Sequence, residues 1–105
     1  MKNIIAALAL ISMFASATGF AADISTLEQV KKSETIRIGY REANPPMSFL
    51  NKDKQPVGYS IELCLQIVNQ VKSMLQNPNI AVRYVPVTAS NRFEALRDNS
   101  IDILC

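Results

Sequence analysis

Thr35-Ile36-Arg37-Ile38-Gly39-Tyr40 is the stretch on which the reading of this chain turns. Its β-branched and polar residues alternate with period two, so Ile36 and Ile38 point the same way into a core and the segment is a strand. Pro45-Pro46 cannot continue a ladder, because neither residue has an N–H to donate, so the strand must end by Arg41 or Glu42. Between Met47 and Tyr59 the polar run Asn51-Lys52-Asp53-Lys54-Gln55 separates short apolar pieces and suits a small hairpin or an extended excursion. Beyond it Ile61, Cys64, Leu65, Val68, Val71 and Leu75 recur at helical spacing, with Ser60 as the expected N-cap and Glu62 near the positive end of the helix dipole. Asn77-Pro78-Asn79 stops that helix, and Ile80 to Val87 alternates again as a second strand. Thr88 or Ser90 is placed to cap a short helix reaching about Asp98, with Phe93 and Leu96 turned inward. Ile101 to Leu104 then begins a third strand. Strand, helix, strand, helix, strand predicts an α/β fold built as βαβαβ around a mostly parallel sheet.

Towards the start of the chain, Met1-Lys2-Asn3 is a short cationic opening, Ile4 to Phe14 is apolar apart from Ser12, and small residues follow from Ala15 to Gly19. This is the pattern of a signal peptide over residues 1–21, with Gly19 and Ala21 supplying the small side chains that cleavage after Ala21 requires. The apolar run is too short for a membrane-spanning helix, which needs ~20 residues. Ala22 to Ser33 reads as a lead-in helix, where Ser25 and Glu28 form a capping box and Leu27 and Val30 an apolar face.

Composition removes several classes of function. Eleven Lys and Arg against nine Asp and Glu create no field suited to nucleic acid or anionic lipid. With no His and two Cys, neither a His-based catalytic site nor a Cys/His zinc site is available. Three glycines form no phosphate-cradling motif, so no nucleotide or other cofactor is expected. An even pair of cysteines in an oxidising compartment favours a bridge between Cys64 and Cys105; two buried free thiols are the alternative.

In open parallel sheets, ligands lie beyond the carboxyl ends of the strands, where loops and helix N-termini converge. That rule selects three places: Arg41 to Asn44 after the first strand, Thr88 to Arg92 after the second, and the segment expected to follow Cys105 after the third. Arg41 and Arg92 bring guanidinium groups suited to gripping a carboxylate, and Thr88 and Ser90 bring hydroxyls, so the expected ligand is anionic. Taken singly, each arginine also reads as a solvated charge and each hydroxyl as an ordinary helix cap. Glu42, Glu62 and Glu94 are assigned no catalytic role.

These residues carry a further pattern. Ile36-Arg37-Ile38-Gly39-Tyr40-Arg41-Glu42, then Pro46-Met47-Ser48-Phe49, then Val57-Gly58-Tyr59-Ser60-Ile61-Glu62-Leu63-Cys64 resemble family 3 of the periplasmic solute-binding proteins. Val85-Pro86-Val87-Thr88-Ala89-Ser90-Asn91-Arg92 and Ile101-Asp102-Ile103-Leu104-Cys105 look most like its glutamate/aspartate-binding branch, and the likeness runs from about residue 27 to 105. The resemblance implies a fold similar to the type II periplasmic binding proteins, of which residues 22–105 are the first part of lobe one. It implies that Arg41 helps to read the ligand side chain and that Arg92 approaches the ligand carboxylate. Asn44 stands where many relatives carry an aromatic residue that stacks on the ligand, Ala89 where the acidic branch often has Ser, and Leu104 where Glu is common.

The function so implied is that of the substrate-binding component of an ABC importer. It would capture glutamate or aspartate in the periplasm as a monomer and deliver it to inner-membrane permease subunits, without catalysis. Relatives have two lobes that close on the ligand. Read against them, the chain is truncated and without its second lobe, so weak or no amino-acid binding and marginal stability are expected of it alone. Three alternatives differ in class: a periplasmic enzyme on the same fold, such as a cyclohexadienyl dehydratase or a lytic transglycosylase; a receptor ectodomain; and a non-functional truncated fragment. An assay on prephenate, a downstream transmembrane helix and the nucleotide sequence past codon 105 discriminate among them.

Overall fold

A computed structural model describes residues 25–105 of the chain. The signal-peptide reading at residues 1–21, and the start of the lead-in helix at Ala22, lie outside them. Helix α1 (Thr26–Ser33) is capped by Ser25, whose hydroxyl accepts the Glu28 N–H at 3.2 Å. The capping geometry is the one its residue types dictate. Val30 is the residue α1 buries, while Leu27 stays largely exposed.

Strand β1 (Thr35–Tyr40) follows, then a small antiparallel meander of β2 (Ala43–Asn44), β3 (Ser48–Leu50) and β4 (Pro56–Val57). Helix α2 (Tyr59–Met74) leads to β5 (Ala81–Pro86), and α3 (Arg92–Arg97) leads to β6 (Ile103–Leu104). The main sheet has the order β5-β1-β6, with β1 in the centre and both pairings parallel. The excursion between β1 and α2 is therefore a sheet of its own, of three strands instead of a single hairpin.

Alternation along the strands sorts apolar side chains onto two faces. On one face Ile36 and Ile38 meet Val30 of α1 and Cys64, Val68 and Val71 of α2, with Val82, Tyr84 and Ile103 packed alongside. On the other, Val87, Ala95 and Ile101 form a smaller cluster flanked by Val85 and Leu104. Gly39 lets this second layer approach the central strand: a Cβ there would lie 2.5 Å from Cδ1 of the buried Ile101.

Two local expectations are corrected. The N-cap of α2 is Gly58, not Ser60, and no side chain caps it. The first N–H groups of the helix are instead satisfied by the meander, Tyr59 donating to the Pro46 carbonyl at 3.0 Å and Ser60 to the Met47 carbonyl at 2.9 Å. In α3, Phe93 is 53% exposed and Leu96 41%, and it is Ala95 that is buried against the sheet. At about 100° per residue, a helix that points residue 95 inward carries 93 and 96 onto its flanks and outer side.

At the end of the sheet away from the strand exits, Arg37 and Asp102 join the two parallel neighbours. The guanidinium donates to the carboxylate at 2.9 and 3.2 Å, the Arg37 N–H adds a bond of 2.7 Å, and the Asp102 N–H returns one to the Arg37 carbonyl at 2.8 Å. The Asp102 side chain is 3% exposed, so its charge has the fork of charge-assisted bonds that burial demands.

Candidate functional site

Parallel register brings two strand exits together. Tyr40 lies opposite Pro86, and the Val87 N–H continues the ladder by donating to the Tyr40 carbonyl at 2.8 Å. The chain beyond β1 and the chain beyond β5 therefore run side by side, and a cleft of about 480 Å³ opens between them. Its walls are Arg41, Glu42 and Ala43 on one side and Pro86, Val87, Thr88 and Ala89 on the other. The position is the one the strand-end rule for parallel sheets selects.

Each wall is held by hydrogen bonds. Arg41 stands one residue past the paired part of β1, and its peptide N–H donates to the Ser48 hydroxyl at 3.0 Å. The same hydroxyl donates to the Arg41 carbonyl at 2.7 Å. Ser48 is 1% exposed. One step on, the Leu50 N–H donates to the Glu42 carbonyl at 3.2 Å. The opposite wall is a closed turn: Thr88 N–H donates to Asn91 Oδ1 at 2.7 Å, Asn91 N–H donates to Thr88 Oγ1 at 3.1 Å, and Arg92 N–H donates to the Thr88 carbonyl. The N-cap of α3 is Asn91, with no side chain capping it, so neither Thr88 nor Ser90 is the cap expected from the sequence. Thr88 closes the turn before the helix while lining the cleft, and its hydroxyl lies 3.1 Å from that of Ser90.

Of the five ligand-binding residues expected from the sequence, Arg41 and Thr88 meet across the cleft, whereas Ser90, Arg92 and Asn44 do not line it. Ser90 is exposed on the turn. The Arg92 guanidinium carbon lies 4.7 Å from the centre of the Phe93 ring, a cation–π distance, and its Nε is buried without a hydrogen-bond partner. Asn44 sits in β2 opposite Ser48. Two contributors escaped the sequence reading: Ser48, which holds Arg41, and Asn91, which closes the Thr88 turn. The signal for Asn91 was present, since Thr-x-x-Asn is a pair of side-chain cappers at reciprocal spacing. For Ser48 there was none, because its partner is reached only after the meander folds back.

Chemically, the cleft offers one guanidinium with five donors, one carboxylate at Glu42, a hydroxyl and apolar surface from Ala43, Pro86, Val87 and Ala89. Beneath it, burial raises the pKa of the Tyr40 phenol and the charge of Glu42 adds to the effect. Tyr40 also meets Tyr84 edge to face, with ring centres 6.0 Å apart. At the end of β6, on the other side of β1 from β5, the sulfurs of Cys64 and Cys105 are bonded, joining the first turns of α2 to the residue that follows β6.

Residues 36–105 match the bacterial extracellular solute-binding proteins, family 3. The chain is 35% identical over 99 residues to an L-glutamate/L-aspartate-binding protein of Pseudomonas aeruginosa, which covers 92% of the chain and 33% of that protein. It is 36% identical over 81 residues to a glutamate/aspartate import solute-binding protein of Escherichia coli, covering 77% and 27%. Among solved structures, an ancestral cationic amino-acid solute-binding protein superposes with a TM-score of 0.63 at 27% identity, over 73% of the chain and 31% of its own length. A cysteine-binding protein from Campylobacter jejuni superposes with a TM-score of 0.60 at 30% identity, over 73% and 29%. The chain thus spans about a third of the length of the relatives it matches.

Proposed function

The chain belongs to the bacterial extracellular solute-binding proteins, family 3, and from that premise we propose that its cleft receives an amino acid whose side-chain carboxylate is read by Arg41. The whole protein then acts as the periplasmic, substrate-binding component of an ABC importer for glutamate or aspartate, delivers its ligand to membrane permease subunits and catalyses no reaction. The observation that carries this reading is the position of Arg41: a guanidinium at a parallel strand exit, lining a cleft, in a chain whose relatives bear glutamate/aspartate-binding names. Thr88 supplies a hydroxyl from the facing wall. Ser90 is exposed on the Thr88 turn and Arg92 opens α3, both outside the cleft. Asn44 belongs to the meander that supports Arg41.

Titration of the isotope-labelled protein with L-glutamate, L-aspartate, L-glutamine and L-arginine, followed by amide chemical shifts, tests this directly. The two acidic amino acids should move Arg41, Glu42, Ala43, Thr88 and Ala89, even where affinity is only millimolar. Arg41→Gln should weaken the response at least about tenfold, the loss of a charge-assisted bond worth ~1.5–3 kcal/mol. An equal response to L-arginine, or shifts lying elsewhere on the surface, would sink the reading.

A second reading has one observation behind it: a structural neighbour at 27% identity is described as a precursor of cyclohexadienyl dehydratase. In such an enzyme Glu42 would be the acid–base group of the cleft. Turnover of prephenate that is lost in Glu42→Gln would establish it.

A further inference from the structure

We infer that Ser48 is a positioning residue for Arg41, and that the acid-over-amide preference of the cleft depends on its hydroxyl; this rests on the function proposed above. Arg41 has left the ladder of β1, so its peptide N–H and carbonyl need partners that no neighbouring strand provides. Both are taken by one buried hydroxyl, at 3.0 and 2.7 Å, which fixes the peptide at two points instead of one. Ser48 is itself held. It pairs with Asn44 in the meander, and the carbonyls of Pro46 and Met47 just before it accept the Tyr59 and Ser60 N–H groups of α2. Hydrogen bonds from the N-terminus of α2 to residues 46 and 47, and from Ser48 to Arg41, thus tie α2 through the short backbone segment 46–48 to the residue from which the guanidinium extends. A guanidinium prefers a carboxylate to an amide by charge and by its all-donor fork, and a fixed base adds to that preference because the second bond of the fork, which only the carboxylate can accept, then forms without further ordering of the stem.

The experiment compares wild type with Ser48→Ala and Ser48→Thr by two readouts: amide hydrogen exchange at Arg41 without ligand, and the ratio of L-glutamate to L-glutamine affinity. In Ser48→Ala, exchange at Arg41 should accelerate about tenfold, as expected for the loss of one net hydrogen bond, while the core amides of Ile38 and Val68 keep their rates. The glutamate-to-glutamine ratio should fall, and Ser48→Thr, which keeps the hydroxyl, should restore both readouts. Unchanged exchange at Arg41, or equal weakening of both ligands, overturns the inference; equal weakening is what a purely structural serine would give. A wild-type protein that binds glutamate and glutamine alike refutes the ligand reading instead. The two failures are distinguishable because exchange at Arg41 reports the Ser48 contact with no ligand present.

Discussion

Tyr40, Arg41 and Glu42 are consecutive, and their surroundings change within those three residues from core to cleft. Tyr40 is buried against Tyr84, Arg41 is half-buried in the wall, and Glu42 is exposed. Because burial and the Glu42 charge raise the Tyr40 pKa in the folded chain, the fold holds the phenolic proton more tightly than the unfolded chain does. The resulting stability is fully present below the unfolded value of about 10 and is lost as pH rises through that value towards the folded one. Urea denaturation between pH about 9 and about 11 should therefore show a falling midpoint, and Tyr40→Phe should flatten the fall; an identical slope in the variant would contradict this. At this scale the sequence was partly legible. Arg41 and Thr88 were readable as strand-exit residues because hydrophobic alternation marks where a parallel strand stops. The placement of Arg92 was not, since its stacking on Phe93 depends on which face of a six-residue helix meets the sheet.

The meander and α2 form a joint that depends on one backbone angle. Gly58 has φ of +132°, and a Cβ there would lie 2.3 Å from the Met47 carbonyl oxygen. A glycine at this position turns the chain so that residues 46 and 47 present their carbonyls to the first turn of α2. Gly58→Ala should lower stability by at least ~1–3 kcal/mol, the scale of a strained backbone region, before any cost of the contact itself. Chemical denaturation measures it, and a change within ~0.5 kcal/mol would show that the joint relaxes freely. Element identity and order were largely legible: β1, α2 and β5 carry strong period-two or helical spacing over many residues. The meander was only half legible, because strands of two or three residues leave too few positions for a period to register. The cap of α2 was misread for a related reason. A serine in the right place looks like a cap, yet backbone carbonyls brought in by tertiary folding reached those donors first.

Taken whole, the described chain is a three-stranded parallel sheet with an apolar layer on each face and a covalent link from α2 to the residue following its last strand. The layer around Val87, Ala95 and Ile101 is the smaller, and β6 has only two residues in its ladder. The Cys64–Cys105 bond closes a loop of 41 residues, for which chain entropy predicts a stabilisation of about 4 kcal/mol. Reduction, or paired Cys64→Ala and Cys105→Ala substitution, should lower the thermal midpoint by roughly 15 °C or more in a domain of this size. Circular dichroism with and without reductant checks this, and coincident melts would refute it. The sequence by itself determined the α/β class, the order of the main elements and the strand exits at which the cleft opens, because hydrophobic period and turn chemistry are local properties that each segment carries alone; its motifs carried the resemblance to the family. Only the tertiary structure decided that Ser48 holds Arg41, that the meander caps α2, that Ala95 and not Phe93 faces the sheet, and that Arg41 and Thr88 share a cleft. Each of those depends on distances between separate elements, and register and packing set those distances only once the strands have paired.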